Sequence, residues 1–398
     1  MNIDAVDFFY ASMPDVTLEA DGSQDALVVR VAAGGHIGWG ECEASPLTSI
    51  AAFVTPRSHG VCQPVAASVL GQPLDDPDDI KRIGHLVGRN SMDLLQAAHT
   101  WSGIEIALWD ILGRIREEPV WRLLGYTQNH PKVPYASMLL GDTPQMTLER
   151  ARVARERGFR AVKFGWGSYG TESAADDADH VAAAREGLGS DALLFIDAGQ
   201  IWGDDVELAA KRLPALLAAD ATWLEEPFEP NAFVAHAALA RRAGRVGLAG
   251  GEGAHNAHMA TNLIDFGGVR FIQVDAARIG GIGPSKAVAD HAVGRGVTYV
   301  NHTFTSHLAL SASLQPYAGL ADHRICEYPA EPKQVALDLS RDHILLDANG
   351  EVRAPDGPGL GIEVDLDGLA RYLRTVEIRI DGSTVFLSPD MRPVLETV

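Results

Sequence analysis

The chain has 398 residues, more than one small hydrophobic core requires, so its length predicts two domains or one large barrel with additions. Its 53 acidic and 33 basic residues give a net charge of −20, and such a surface repels nucleic acid and anionic membranes. No apolar run is long enough to cross a membrane, no signal peptide is indicated, and three isolated cysteines, Cys42, Cys62 and Cys326, are typical of a reduced cytoplasmic protein.

The first third of the chain has the mixed texture of an α+β domain. Residues 25–40 predict two strands joined by a turn at Ala33–Gly35. Residues 93–112 predict a helix, because apolar side chains recur there at steps of three and four residues: Trp101, Ile104, Leu108 and Ile111. The Pro-bearing segment Asn129–Pro134 is the predicted boundary, so we expect a first domain over residues 1–130.

Beyond Pro134, short β-like runs alternate with amphipathic helical stretches. The eight runs are Tyr135–Met138, Arg160–Phe164, Leu193–Asp197, Thr222–Glu225, Val246–Ala249, Arg270–Asp275, Thr298–Asn301 and Arg324–Glu327. This alternation predicts parallel strands with right-handed crossovers, and eight such units within residues 131–330 favour a closed (β/α)₈ barrel. Residues 331–398 return to strand-like texture at 376–380 and 385–387, and we expect them to pack back on the first domain.

Acidic residues follow three consecutive predicted strands. Asp197 and Glu225 end their strands and Glu252 lies just past the next one. The carboxyl ends of barrel strands meet at one mouth, where three carboxylates would repel one another unless a cation lay between them. Such oxygen ligands suit Mg²⁺, although each acid could instead cap a helix. Glu226 follows Glu225 directly, and the periodicity does not choose between them.

Two further strand ends carry the groups of a general base. Asp275 ends the sixth predicted strand and His302 directly follows the seventh, and a carboxylate beside an imidazole fixes its tautomer and raises its basicity. Glu327 ends the eighth strand, and Lys163 lies at the end of the second. We therefore expect Lys163, Asp275, His302 and Glu327 to face the same mouth as the three acids.

These residues stand in an order that resembles the mandelate racemase group of the enolase superfamily. The barrel segments are AVKFGWG, FIDAGQIW, WLEEPF, LAGGEGAHN, FIQVDAARIGGIG and YVNHTFTSHLALSAS, and the flanking ones are GWGECEASP, SGIEIALWDILG and PGLGIEVD. The resemblance implies an α/β fold, namely a (β/α)₇β TIM-type barrel with an α+β capping domain. It also implies Mg²⁺ on Asp197, Glu225 and Glu252, an Asp275–His302 dyad, and contact between Glu327 and the substrate carboxylate.

The sequence departs from this group at one place. Many relatives carry Lys-x-Lys at the second strand, with the second Lys as a base on the opposite face of the substrate, whereas this chain has Gly165 there. A racemase needs groups on both faces, but a dehydratase can use His302 alone, first as base and then as acid. We therefore expect an acid-sugar dehydratase that forms a 2-keto-3-deoxy acid. Trp166, Tyr169 and His255 stay open as replacements for the missing base.

Other functions fit the pattern less well. A racemase, epimerase or lactone cycloisomerase of the same superfamily is the main alternative. A zinc amidohydrolase would need an HxH pair in YASML, and an aldolase acting through Lys163 would leave the acids unexplained. A binding protein without catalysis would leave them unexplained too. We expect a small acid sugar as partner, no nucleic acid or membrane, a homo-oligomer, and specificity in the loops Met13–Gln24 and Ser45–His59.

Overall fold

The first domain is built on a three-stranded antiparallel sheet, in a computed structural model that describes residues 1–18 and 23–391. In spatial order its strands are β1 (Ile3–Ser12), β2 (Asp25–Ala33) and β3 (His36–Cys42). The predicted hairpin with its turn at Ala33–Gly35 is confirmed, because Ala33 pairs with His36 at the start of β3. The strand β1, which the sequence pattern did not reveal, pairs with β2 along its length.

Five helices complete the described part of this domain. They are α1 (Pro46–Val54), α2 (Val65–Val69), α3 (Pro77–Asn90), α4 (Ala97–Arg116) and α5 (Val120–Leu123). The helix predicted over 93–112 is α4, which starts and ends slightly later. It packs against β3 and β2, and most of its residues from Ala97 to Gly113 are buried, so it is covered on all sides rather than along one stripe.

The second part of the chain forms the predicted barrel of parallel strands. The strands are β4 (Val133–Leu139), β5 (Ala161–Gly165), β6 (Leu193–Asp197), β7 (Trp223–Glu225), β8 (Gly247–Gly250), β9 (Phe271–Asp275), β10 (Thr298–His302) and β11 (Ile325–Tyr328). They are ordered β10-β9-β8-β7-β6-β5-β4-β11, so each strand except the last lies beside its neighbour in sequence. All eight predicted runs are strands, with ends that differ by a few residues.

The barrel closes between β10 and β11 through a side chain. The amide of Asn301 in β10 donates to the carbonyl oxygen of Glu327 in β11 at 3.3 Å and accepts from the Glu327 backbone N–H at 2.9 Å. The same amide oxygen accepts a second hydrogen bond, from the Tyr317 hydroxyl, at 2.8 Å. Asn301 therefore provides the hydrogen bonds that a backbone ladder provides elsewhere, and it holds Glu327 beside the end of β10.

Helices fill the seven connections between the barrel strands. They are α6 (Pro144–Glu156), α7 (Ala174–Leu188), α8 (Val206–Ala210), α9 (Leu213–Ala218), α10 (Phe233–Ala240), α11 (Ala257–Gly267), α12 (Ile282–Arg295), α13 (His307–Leu314) and a 3₁₀ turn, Gln315–Tyr317. After β11 the chain forms the short α14 (Gln334–Asp338) in place of a full eighth helix. The fold is thus a (β/α)₇β barrel with an α+β capping domain, as the resemblance implied.

The chain beyond the barrel returns to the capping domain. It contains α15 (Leu366–Tyr372) and a separate hairpin of β12 (Glu377–Ile380) and β13 (Ser383–Leu387). Leu373 forms a bridge with Ala11 of β1, and Arg374 donates its backbone N–H to Tyr10 at 2.7 Å. These contacts support the limits that we propose for the three parts, 1–130, 131–330 and 331–398, although 392–398 lie outside the described residues.

Aromatic side chains fill the barrel below its mouth. Phe195 and Trp223 stack with ring centroids 3.7 Å apart, and Tyr135 meets both rings edge-on. This packed aromatic layer lies directly below the polar groups at the strand ends. In the part of the chain that the structure describes, no helix has both the length and the apolar character needed to cross a membrane.

Candidate active site

Parallel register brings the predicted polar residues to one end of the barrel. Asp197 pairs with Glu225 across β6 and β7, and Asp275 pairs with His302 across β9 and β10. Glu252 lies in a turn just beyond β8. Because these strands run in one direction, their carboxyl ends define a common mouth, which is the usual position of a barrel active site.

Lys163 of β5 lies at the centre of this mouth. Its ammonium nitrogen is 2.6 Å from Glu225 Oε1, 3.1 Å from Glu327 Oε1 and 3.3 Å from Asp197 Oδ2. Burial in itself would lower the pKa of Lys163, but the Glu225 and Glu327 carboxylates outweigh it and hold the pKa well above its usual value. Lys163 is only 5 % exposed, so it is a buried residue of the mouth and not a surface lysine.

Several of the acids around Lys163 have shifted pKa values. Burial, reinforced by Asp197, raises the pKa of Glu225 well above its usual value, and burial also raises the pKa of Glu252. The pKa of Glu327 is lowered, because Lys163 and His302 outweigh the opposing effect of burial. Glu225 also accepts the indole N–H of Trp223 at 3.0 Å, a contact that period-two alternation along β7 makes possible.

These acids are shared between two cationic side chains. Within residues 1–18 and 23–391, no three His, Cys, Asp or Glu side chains are gathered closely enough to hold a metal ion by themselves. Lys163 draws Asp197 and Glu225 towards its ammonium group, whereas Glu252 Oε2 lies 3.3 Å from His302 Nε2. The donor set still fits Mg²⁺, because it consists of carboxylates and because four acids, Asp197, Glu225, Glu252 and Glu327, lie against two cationic side chains.

His302 and Asp275 form the expected hydrogen-bonded pair. His302 Nδ1 lies 2.8 Å from Asp275 Oδ2, and the other Asp275 oxygen accepts the Ala277 backbone N–H at 2.7 Å. Burial in itself would lower the pKa of His302, but Glu252, Glu327 and Asp275 together raise it to about 10. Asp275 thus fixes Nδ1 as the donor and leaves Nε2 facing the acids of the mouth.

Glu226 takes a different position from Glu225. Its backbone has a φ of 38°, which turns the chain out of β7, and its Oε2 accepts the amide of Gln200 at 2.7 Å. Burial and the charge of Glu252 raise the pKa of Glu226 to about 8. Glu225, rather than Glu226, therefore contacts Lys163, a distinction that the sequence pattern alone left open.

The structure places each of the three residues that the sequence left open as a second base. Trp166 is exposed and has no basic atom, although its backbone N–H donates to the Asp197 carbonyl at 2.7 Å. Tyr169 is buried edge-on against Trp202, and burial raises the pKa of its hydroxyl. His255, three residues beyond Glu252, packs against His99.

Two acids of the capping domain also reach the barrel, and the sequence reasoning missed both. Glu41 is fully buried and accepts a hydrogen bond from the Ser306 hydroxyl, which in turn caps α13 after the loop that follows β10. Glu43 binds Arg278, three residues beyond Asp275. The run GECEAS shows two acids at the end of β3, but no local pattern reveals their distant partners.

Comparison with known families covers both domains. Residues 12–125 match the family described as mandelate racemase / muconate lactonizing enzyme, N-terminal domain, and residues 146–368 match enolase C-terminal domain-like proteins. The D-galactarolactone cycloisomerase of Agrobacterium fabrum is 30 % identical over 85 % of this chain and 88 % of its own length. The L-talarate/galactarate dehydratase of Salmonella typhimurium is 31 % identical over 64 % of this chain and 63 % of its own length.

Solved structures give the same grouping. A predicted mandelate racemase from Rhodobacter sphaeroides is 66 % identical and superposes with a TM-score of 0.95, covering 98 % of this chain and all of its own. The 3,6-anhydro-D-galactonate cycloisomerase from Zobellia galactanivorans is 25 % identical with a TM-score of 0.81, over 94 % of this chain and all of its own. The relatives thus include both a dehydratase and cycloisomerases.

Proposed function

The chain belongs to the mandelate racemase and muconate lactonizing enzyme group of the enolase superfamily, and on that premise we propose that it is a Mg²⁺-dependent acid-sugar dehydratase. The observation that carries the proposal is the one-sided arrangement of its base. His302 and Asp275 form a buried pair at the ends of β10 and β9. Gly165 ends β5, which is three strands from β10 when counted through β11 and β4. A base on one side favours elimination over inversion.

The acids Asp197, Glu225 and Glu252 would hold the Mg²⁺ ion. The support is their carboxylate chemistry and the number of acids at the mouth, where Asp197, Glu225, Glu252 and Glu327 contact two cationic side chains. When bound, Mg²⁺ would offset the negative charge that develops on the substrate carboxylate. It would also compete with Lys163 and His302 for the acids, and this competition would free both side chains to face the substrate.

Lys163 and Glu327 would bind the substrate carboxylate. Lys163 is buried with its ammonium group among acids, so a substrate carboxylate could replace one of them as its partner. Glu327 Oε2 already accepts the Thr303 backbone N–H at 2.9 Å, which orients its carboxyl group towards the mouth. In this proposal Lys163 supplies positive charge to the reacting carboxylate, and Glu327 contacts that carboxylate beside Lys163.

His302 would carry the proton in both halves of the reaction. With Glu252 held by Mg²⁺ rather than by His302, the imidazole would be neutral and its Nε2 unprotonated. Nε2 would then remove the α-proton, and the electron pair of the broken C–H bond would form a carbon–carbon double bond as the β-hydroxyl departs. The imidazolium returns that proton to the departing oxygen, so one water leaves for each turnover. The resulting enol tautomerises to a 2-keto-3-deoxy acid. Asp275 keeps Nδ1 protonated throughout and so leaves Nε2 available for the transfer.

A lactone or anhydro-sugar cycloisomerase is the second candidate. It is favoured by the cycloisomerases among the relatives, one of them 30 % identical over most of the chain. The same base could remove the α-proton while a ring oxygen, rather than hydroxide, leaves the β-carbon. A racemase or epimerase has less support, because Gly165 offers no group for the opposite face.

One screen separates these candidates. The Mg²⁺-loaded protein is incubated with a library of acid sugars and their lactones, and 2-keto acids are trapped as semicarbazones. A dehydratase product has lost one water relative to its substrate by mass spectrometry, whereas a cycloisomerase product keeps the mass of its substrate. Activity on lactones alone, without water loss, would reject the dehydratase.

Specificity would lie in the two loops of the capping domain. In Met13–Gln24, residues 19–22 lie outside the described residues, while Thr17 is bound to the Gln24 side chain at 2.8 Å. In Ser45–His59, the helix α1 is followed by a tip where His59 pairs with Asp93 at 2.9 Å. We propose that both loops contact the sugar chain of the substrate.

Two further properties belong to the proposal. The three cysteines are free, which supports a reducing cytoplasmic location.

Val234 of α10 and Phe266 of α11 are exposed on neighbouring helices at the outside of the barrel, which supports a homo-oligomer. Light scattering at several protein concentrations tests the oligomer, and a monomer at all of them would reject it.

A further inference from the structure

A cap residue, Glu43, is joined to the barrel by both its backbone and its side chain. It directly follows β3, is 2 % exposed, and donates its backbone N–H to the Ala277 carbonyl at 3.1 Å. Its Oε2 accepts the Nε–H of Arg278 at 2.8 Å and lies 3.4 Å from His99 Nε2. The Glu43 side chain thus crosses the interface between the capping domain and the loop after β9.

Arg278 carries this contact onward into the active site. Its Nη1 donates to the backbone carbonyl oxygen of Glu252 at 2.8 Å, while its Nε binds Glu43. A guanidinium group can bind two acceptors in fixed directions because its N–H groups lie in one rigid plane. Arg278 also belongs to the loop whose Ala277 N–H holds Asp275, so one short segment contacts both halves of the site.

The segment that carries Glu252 needs such an anchor. Glu252 lies in a turn beyond β8, closed by a hydrogen bond from Ala254 N–H to the Gly251 carbonyl at 3.0 Å. Gly251 has a φ of 121°, where other residues are strained, and Gly253 follows on the other side. Two flanking glycines give this turn more conformational freedom than a strand has, so a contact to the Glu252 carbonyl restricts its carboxylate.

We propose that Glu43 and Arg278 form a positioning pair through which the capping domain fixes Glu252 for Mg²⁺ binding. The inference rests on the proposed function, because it takes Glu252 to be a metal ligand. Neither residue contacts the ion in this scheme; Glu43 orients the guanidinium group, and the guanidinium group orients the turn. Separation of the capping domain from the barrel would therefore weaken metal binding as well as open the mouth.

The substitution Arg278→Lys separates charge from geometry. Lysine keeps a positive charge for Glu43, but a single ammonium group on a flexible stem does not reproduce the two directed hydrogen bonds. We expect the dissociation constant for Mg²⁺, measured by calorimetry on the metal-free protein without substrate, to rise about tenfold or more. Glu43→Gln, which keeps the backbone bond to Ala277, should raise it less.

Arg114→Lys is the matched control. Arg114 likewise binds a buried carboxylate, Asp110, at 2.8 Å and a backbone carbonyl, that of Ile362, at 3.3 Å, but it joins the capping domain to the C-terminal segment. Its substitution should lower the melting temperature about as much as Arg278→Lys and leave Mg²⁺ affinity within about twofold.

Each result decides between the alternatives. A Mg²⁺ affinity in Arg278→Lys equal to that of the unchanged protein overturns the positioning pair while the proposed function stands. An equal loss in both lysine variants overturns it too, because the effect would then come from general weakening of the fold. If Arg278→Lys does not fold, unchanged affinity in Glu43→Gln overturns the pair. If the protein without any substitution binds no Mg²⁺, that result rejects the proposed function and this inference with it.

Discussion

A Cβ atom at Gly165 would lie 2.0 Å from the backbone carbonyl oxygen of Asp197, so the end of β5 has no room for a side chain. Gly165 also has a φ of 141°, and the next residue donates its N–H to the same carbonyl at 2.7 Å. The backbone of β5 is thus pressed against that of β6 beside a proposed metal ligand. Gly165 is a requirement of the local backbone, and a lysine introduced there would not simply restore a second base.

This relationship predicts a large stability cost for Gly165→Ala. The control is Gly158→Ala, where φ is also positive at 93° but a Cβ atom meets no neighbour within 4 Å. Strain alone should cost about 1–2 kcal/mol at Gly158, whereas strain and steric overlap together should cost about 3 kcal/mol or more at Gly165. Urea denaturation measures both free energies of unfolding. Equal costs would show that β5 and β6 separate easily.

The residues at the mouth were predictable because local patterns determine their positions. Asp197, Glu225 and Asp275 end runs of strand-like sequence, and the regular spacing of βα units places the ends of such runs together. The relation of His302 to Asp275 follows from the same spacing, since adjacent parallel strands bring corresponding ends side by side. These predictions needed no knowledge of which distant segments meet.

Contacts between the domains were not predictable in this way. Glu43 and Arg278 lie 235 positions apart, and neither belongs to a local pattern that names the other. In α4 the apolar stripe was recognised, but the buried acid Glu105 was not, and it accepts backbone N–H groups of Ile282 and Gly283 at 2.7 and 2.8 Å. A buried acid in a helix is intelligible only once its distant donors are known.

Removal of metal should abolish activity. Exhaustive EDTA treatment should stop α-proton exchange and Mg²⁺ should restore it. Without the ion, the acids at the mouth outnumber the cationic side chains that contact them and repel an anionic substrate. Glu225→Gln should lose Mg²⁺ binding in calorimetry, whereas its neighbour Glu226→Gln should weaken it by about tenfold at most. Full exchange by the metal-free protein, or the reverse order of the two variants, would contradict the proposed ligands.

Substitution of His302 should remove proton transfer at the α-carbon. We expect His302→Asn to slow solvent-deuterium exchange by about 10²–10⁴-fold, and Asp275→Asn to slow it less, because the imidazole remains but is less well oriented. His291→Asn is the control, since His291 is also paired with an aspartate, Asp265, at 2.9 Å but lies on α12 outside the barrel. NMR of the recovered substrate gives the exchange rates. Normal exchange in His302→Asn would assign the base elsewhere.

Lys132 should make the free energy of unfolding depend on pH between about 7 and 10.5. It is buried, donates to the carbonyls of Tyr317 and Leu320, and burial lowers its pKa from 10.5 to about 7. The unfolded chain then binds more protons than the folded one between these pH values, so stability is lost as pH falls from 10.5 towards 7. The slope from this residue should be at most about 1.4 kcal/mol per pH unit.

The variant Lys132→Met should remove this slope, although it also loses two hydrogen bonds at every pH. Chemical denaturation between pH 7 and 10 gives the free energy of unfolding of both proteins, and the other titrating groups cancel in the difference. Lys81→Met, at an exposed position of α3, should leave the slope unchanged. A constant difference between Lys132→Met and the unchanged protein across this range would show that Lys132 keeps its charge when buried.

The product of the best acid sugar should distinguish elimination from inversion. With His302 as base and no side chain possible at Gly165, a proton removed from the α-carbon can return only to the face that it left. In D₂O with Mg²⁺, recovered substrate should therefore carry deuterium at C2 with unchanged configuration, and the product should be a 3-deoxy-2-keto acid. His302→Asn under the same conditions should give neither. If the unchanged protein forms the 2-epimer faster than it forms any keto acid, a second acid must stand on the opposite face, and the dehydratase proposal is wrong.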